Sequence, residues 1–206
     1  MSSSKWVKKA ISKEEVEKLK NKFSLDSLTA SIFARRGITS GKDILYFMED
    51  DLRFQHNPFL FSSMEDAVDR ILATVPEKDS PKEEHQKVLI FGDKDIDGVT
   101  ATTVLYDELC SLGIDVQHRV PEGDDAYGLS IQAVDDFAKQ NGSLIITVDC
   151  GISNNAEIEH AAELGIGVIV LDHYNPKEII PSPAISLNSK LSDSGYPFEE
   201  ISGCAV

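Results

Sequence analysis

Asp93, Asp95 and Asp97 stand at alternate positions one glycine beyond the apolar run Val88-Leu-Ile-Phe91. A short β-branched run of this kind reads as a buried strand, so the three carboxylates would crowd at its end. Such groups repel one another, and the crowding is cheap only if a cation neutralises it. Two further acids close apolar runs: Asp149 after residues 144–148, and Asp172 after residues 167–171, with His173 next to it. Several carboxylates and one imidazole suit Mn²⁺ or Mg²⁺ better than zinc, which favours thiolate and histidine. Two such ions roughly 3.5–4 Å apart can activate a water and stabilise the leaving oxygen of a phosphodiester.

Each piece also has a plainer reading. A lone Asp after a parallel strand is often a helix N-cap or a ribose ligand, and Asp149-Cys-Gly-Ile-Ser153 could be a turn into a capped helix. A lone His173 is more often a hydrogen-bonded loop residue than a ligand. Calcium loops share the Asp-x-Asp-x-Asp run, but a helical pattern follows here and no glutamate stands at the bidentate position. Asp95-Ile-Asp-Gly-Val-Thr100 also resembles the Asp-x-Asp-Gly-Thr of haloacid-dehalogenase-type phosphatases, with Asp95 as nucleophile and Asp97 as acid/base. Against that, Gly92, Asp93 and Lys94 intervene before Asp95, and Asp172 with His173 is left without a role.

The elements that must position these residues follow from periodicity. From residue 87 onward strands alternate with helices: strand 88–92, helix 99–112 closed by Gly113, strand 114–120, a helix capped by Ser130, strand 144–148, a helix capped by Ser153, strand 167–171 and a short last strand at 184–187. That order predicts an α/β fold, a parallel β-sheet with helices on both faces, whose site lies beyond the carboxyl ends of the strands. The acids meet there only if their strands are neighbours. Residues 1–75 read as a small helical N-terminal region, with Ser12-Lys-Glu-Glu15 as a capping box, Asp26 or Ser27 and Ser40 as further caps, and Ser63 opening a fourth helix. Residues 76–86, polar and carrying two prolines, read as a linker.

Composition narrows the class. The chain has 206 residues, 41% hydrophobic and 27% charged, as an ordinary globular protein does. No apolar run approaches the roughly 20 residues that span a bilayer, so no membrane is expected as partner. The charged start lacks an apolar export core. Cys110, Cys150 and Cys204 lack zinc-type pairing and read as reduced thiols of a cytoplasmic protein. The net charge of −15 weighs modestly against a nucleic-acid surface.

In combination the motifs resemble those of RecJ-type exonucleases of the DHH phosphoesterase superfamily. Gly92-Asp-Lys-Asp-Ile-Asp-Gly98 looks like the first motif, Ile146-Thr-Val-Asp-Cys-Gly-Ile-Ser153 like the second, and Val170-Leu-Asp-His-Tyr174 like the third. Tyr127-Gly-Leu129 and the N-terminal Arg35-Arg-Gly-Ile38, Asn57-Pro58 and Ser63-Met-Glu-Asp-Ala67 are similar to RecJ-type sequence as well. The resemblance implies a DHH domain over residues 87–206 and a 5′-to-3′ exonuclease on single-stranded DNA, dependent on Mn²⁺ or Mg²⁺ and acting in recombination and repair beside other repair proteins. It implies Asp95, Asp97, Asp149 and His173 as metal ligands, with Asp149 as bridge. Asp93 and Asp172 are expected as further catalytic groups, Asp93 in or just behind the ligand shell and Asp172 orienting His173.

The match has departures. Tyr174 stands where the third motif has a second histidine; it offers a hydrogen bond but no imidazole. Lys94 replaces an aromatic residue. The family's arginine after the second strand is missing, with Arg119 the nearest substitute. Arg119 and Tyr174 are therefore the expected substrate-binding residues. The sequence stops at Val206, where the family continues to a fourth motif whose Asp completes the two-metal site, so the reading is of an N-terminal part of a longer enzyme, inactive by itself. Two alternatives remain: a DHH-type phosphodiesterase for oligoribonucleotides or cyclic dinucleotides, and a catalytically weak scaffold.

Overall fold

The computed structural model describes residues 7–123 and 125–206, so the charged start read above lies mostly outside the described residues. The chain divides into two compact units, 1–56 and 57–206. The first holds α1 (Lys13–Phe23), α2 (Ser27–Arg36) and α3 (Gly41–Met48). Their N-termini are satisfied as the side chains require: Ser12 accepts from the Glu15 amide, Asp26 from those of Leu28 and Thr29, and Ser40 from that of Asp43. Leu19, Ala30, Phe33, Ala34 and Ile44 form this unit's core.

The second unit holds α4 (Met64–Leu72), β1 (Lys87–Gly92), α5 (Ile96–Ser111), β2 (Asp115–Arg119), α6 (Ile131–Ala138), β3 (Gly142–Val148), α7 (Asn155–Glu163), β4 (Gly167–Leu171) and β5 (Ile185–Leu187). The strands form one sheet in the order β2-β1-β3-β4-β5, every pair parallel. This is an α/β fold. Side chains alternate across the strands. Leu89, Phe91, Ile145, Val168 and Val170 share a cluster with Val134 and Phe137 of α6 and Ile158 of α7. Val88, Ile90, Leu144, Ile146 and Ile169 share another with Ala67 of α4 and Ala101 and Leu109 of α5. Helices thus cover both faces, which is why the central strands β1, β3 and β4 are apolar at most positions while the edge strand β2 is polar.

Several local expectations are refined. α4, grouped by pattern with the N-terminal helices, packs on the sheet. Helix α5 starts at Ile96 rather than 99, because the Asp95 carboxylate accepts the Gly98 amide at its N-terminus. Ser153 does not cap α7, and the residue in the capping place, Asn154, makes no capping bond. Its side chain is committed to the backbone N–H and C=O of Leu129 instead. Ser63 likewise makes no capping bond to α4. Within 76–86 the chain forms a 3₁₀ turn, Lys82–Glu84, and Gln86 donates to the carbonyl of Ala73.

The register matters most for the site. Gly92 pairs with Val148, and Val148 with Leu171, so the strand ends lie in one row. The next residues, Asp93, Asp149 and Asp172, keep that row. Their amides donate to Val148, Leu171 and Leu187 respectively, extending the ladder by one residue. Gly98 lets α5 close tightly on this row: a Cβ there would lie 2.5 Å from the carbonyl oxygen of Asp93. We expect Gly98→Ala to destabilise the protein by about 1–3 kcal/mol, the usual cost of overpacking against rigid backbone, read from urea denaturation midpoints; an unchanged midpoint would refute the packing argument.

Candidate metal centre

Asp149 is the centre of the site. Its residue is 0% exposed, and neither carboxylate oxygen accepts a hydrogen bond. It sits at φ +58°, a left-handed conformation uncommon outside glycine, at a cost on the order of 1 kcal/mol. Two groups of ligand atoms, each within 4.8 Å of one another, meet on it: Asp97, Asp149 and His173 in one, Asp93, Asp95 and Asp149 in the other. His173 Nε2 lies 3.1 Å from Asp149 Oδ1 and 3.7 Å from Asp97 Oδ2. Buried carboxylate oxygens without donors are expensive unless a cation or proton meets them. The donor set, carboxylates with one imidazole, fits Mn²⁺ or Mg²⁺.

The other acids are held in different ways. Asp93 is buried and its Oδ1 accepts the Lys94 amide at 2.7 Å. Asp95 caps α5 through the Gly98 amide at 3.0 Å. That capping bond uses one oxygen and leaves the other available, so the plain N-cap role does not conflict with the expected ligand role. Asp97 accepts amides of Gly203 and Cys204, each at 2.8 Å. Asp172 accepts the amides of Ile152, His173 and Tyr174 at 2.7–2.9 Å. It ties the loop after β4 to the loop after β3, and it holds His173 through the main chain rather than through the ring.

Tyr174 lies with its ring 4.6 Å from that of His173 and 6.0 Å, edge-on, from Tyr127. Burial, and then the charge of Asp149, raise the pKa of Tyr174, so its hydroxyl stays protonated. Tyr127 donates to the backbone carbonyl of Asp149 at 3.1 Å, and burial raises its pKa strongly. Both tyrosines, with Ser153, Asn154, Asp172 and Lys177, line a cavity of about 440 Å³. Arg119 ends β2, level with Phe91 of β1, and sits 3.8 Å from Asp136 in a half-exposed ion pair, the kind worth little in water.

Known proteins resemble this chain in sequence and fold. Residues 87–206 match the family model described as "DHH family, N-terminal domain". The chain belongs to the DHH family. It is 31% identical over 206 residues to the single-stranded-DNA-specific exonuclease RecJ of Bacillus subtilis, covering 100% of this chain and 25% of that protein. To the Escherichia coli protein of the same name it is 33% identical over 184 residues, 88% of this chain and 30% of the relative. The chain thus spans under a third of the length of these relatives. Among solved structures, exonuclease RecJ bound to manganese superposes with a TM-score of 0.63 at 27% identity, over 74% of this chain and 37% of that one. RecJ of Thermus thermophilus in complex with Mn²⁺ shares the fold, with a TM-score of 0.64 at 23% identity over 94% of this chain and 26% of that one.

Within this DHH site, motif reading missed Gly203 and Cys204. They lie more than a hundred residues from Asp97 and contribute only main-chain N–H groups, which no residue type advertises. Glycine at 203 is the one local sign: a Cβ there would stand 2.5 Å from Asp149 Oδ1.

Burial, and then the charges of Asp97, Asp95 and Asp93, push Asp149 up to about 8 from 3.8. The native state then holds a proton that the unfolded chain releases near pH 4. Between those values the native state binds more protons than the unfolded one, so stability falls as pH rises. In EDTA, we expect the urea midpoint to decline from pH 5 to pH 8 and the Asp149→Asn variant to flatten that decline. Parallel pH profiles for the two proteins would contradict it.

Proposed function

We propose that this chain forms part of a divalent-metal-dependent exonuclease that hydrolyses phosphodiester bonds of single-stranded DNA from the 5′ end. The single observation that carries the reading is the buried Asp149 carboxylate shared by two ligand groups. Asp97 and His173 would hold one cation with it, Asp93 and Asp95 the other. Asp93 thereby joins the ligand set rather than standing behind it. Cations at such a pair of sites neutralise phosphate charge and lower the pKa of water near neutrality. Support for the substrate comes from the relatives, whose names specify single-stranded DNA, and support for the metal from the similar exonuclease structure bound to manganese.

The chain's own residues have distinct tasks in this scheme. Asp172 keeps the loops after β3 and β4 in register, so that Asp149 and His173 face the same space. Tyr174 remains a neutral donor beside His173 and offers a hydroxyl and an aromatic face, where an imidazolium would offer charge. The adjoining cavity has room for part of a nucleotide. Arg119, weakly engaged by Asp136, is free to exchange that partner for a phosphate, which a strand of DNA supplies at higher charge density. None of the described helices is long and apolar enough to cross a membrane. The three cysteines are unpaired, which supports a cytoplasmic setting.

With Mn²⁺ present, Asp149→Ala in the full protein is expected to abolish nuclease activity on 5′-labelled single-stranded DNA, and calorimetry should show Mn²⁺ binding lost; undiminished turnover would overturn the assignment. Arg119→Ala should weaken single-stranded DNA binding and reduce the slope of log K against log salt by about 0.7, the share of one phosphate contact on a single strand. Fluorescence anisotropy across a salt series measures this, and an unchanged slope would remove Arg119 from the substrate path.

A further inference from the structure

We propose that the main chain of Gly203 and Cys204 is a positioning part of the metal centre: its two N–H groups fix the Asp97 carboxylate, and the missing side chain at 203 leaves Asp149 its place. The inference rests on the metal-site reading above and adds to it two residues that no motif marks.

The Gly203 N–H donates to Asp97 Oδ2 and the Cys204 N–H to Oδ1, both at 2.8 Å. One donor on each oxygen fixes the carboxylate plane as well as its distance, and hydrogen bonds to an ionised acceptor are the stronger kind. Each oxygen keeps a further lone-pair direction for a cation. The same segment lies against the second ligand of the group. A Cβ on Gly203 would fall 2.5, 2.7 and 2.8 Å from Oδ1, Cβ and Cγ of Asp149, and Asp149 is fully buried, with its backbone N–H donating to the Leu171 carbonyl. His173 Nε2 lies near these same two oxygens, Asp149 Oδ1 and Asp97 Oδ2. Hydrogen bonds thus hold all three residues of that group, at the backbone for His173 and Asp149 and at the carboxylate itself for Asp97. Asp172 accepts the amide of His173, the ladder holds Asp149, and the 203–204 amides hold Asp97. Groups that orient metal ligands in this way commonly change metal affinity by 10–100-fold when lost.

Two measurements test the proposal. The first is Mn²⁺ binding by calorimetry to the wild type, Cys204→Ala, Cys204→Pro and Gly203→Ala, with denaturation midpoints alongside. Gly203–Ala205 is a single 3₁₀ turn, and proline at 204 removes the N–H that meets Asp97 Oδ1; alanine keeps the N–H and removes only the thiol. The expected result is wild-type affinity for Cys204→Ala, about tenfold weaker binding for Cys204→Pro and at least tenfold weaker binding for Gly203→Ala. The second is amide hydrogen exchange without metal, where Asp97→Ala should speed exchange at Gly203 and Cys204 about tenfold or more. It reads the contact directly and decides the matter if a position-203 or position-204 variant fails to fold. Wild-type affinity in Cys204→Pro, or unchanged exchange in Asp97→Ala, overturns the proposal while leaving the metal site intact. Absence of Mn²⁺ binding by the wild type would sink the metal reading and this proposal together.

Discussion

A carboxylate taken out of water, with no backbone N–H on either oxygen and three other carboxylates near it, is the constraint around which the second unit is built. Asp149 would be relieved of this cost by a proton or by cations. The surrounding structure prevents the third escape, which is to move away. Its backbone amide is hydrogen-bonded to the Leu171 carbonyl, its own carbonyl accepts from Tyr127, and it occupies a left-handed conformation at the buried end of β3. A packed sheet thus holds a local arrangement that would be unfavourable in a free peptide, as happens where strain serves a function.

The same constraint accounts for the strand order. With β3 between β1 and β4, the acids after all three strands fall in one row, and the helix after β1 adds Asp95 and Asp97 from the side. Any order that separated these strands would disperse the charges and remove both the cost and the chemistry. The tight contacts of Gly98 with Asp93 and of Gly203 with Asp149 follow from the same crowding: small residues stand where two acid-bearing segments must approach. The high negative charge of the chain is in part the signature of this site, so it argues less against a polyanionic substrate than its size suggests.

Tyr174 shows how a departure from a family pattern can be read physically. Its backbone amide is bound by Asp172 and its carbonyl accepts from Asn188, so the turn of the third motif keeps its shape with either side chain. What changes is the chemistry offered at the rim: a neutral hydroxyl and a broad aromatic face beside His173 in place of an ionisable ring.

Much of this is legible in the chain of residues alone. The alternation of apolar runs with helical periodicity, the turns at Gly113 and Gly165, and the acids that end three of the apolar runs determine an α/β fold with an acidic end suited to cations, because burial on both faces and charge repulsion act on residue type alone. Tertiary structure decided the rest. Adjacency of β1, β3 and β4 depends on which strands pair, and periodicity does not encode pairing. Asn154 stands in the capping place of α7, yet its side chain bonds Leu129, a partner 25 residues away. Asp172 grips the main chain rather than the histidine ring, and Asp97 is held by amides 106 and 107 residues distant. Main-chain donors are the same in every residue but proline, so only the folded chain shows which of them a carboxylate meets.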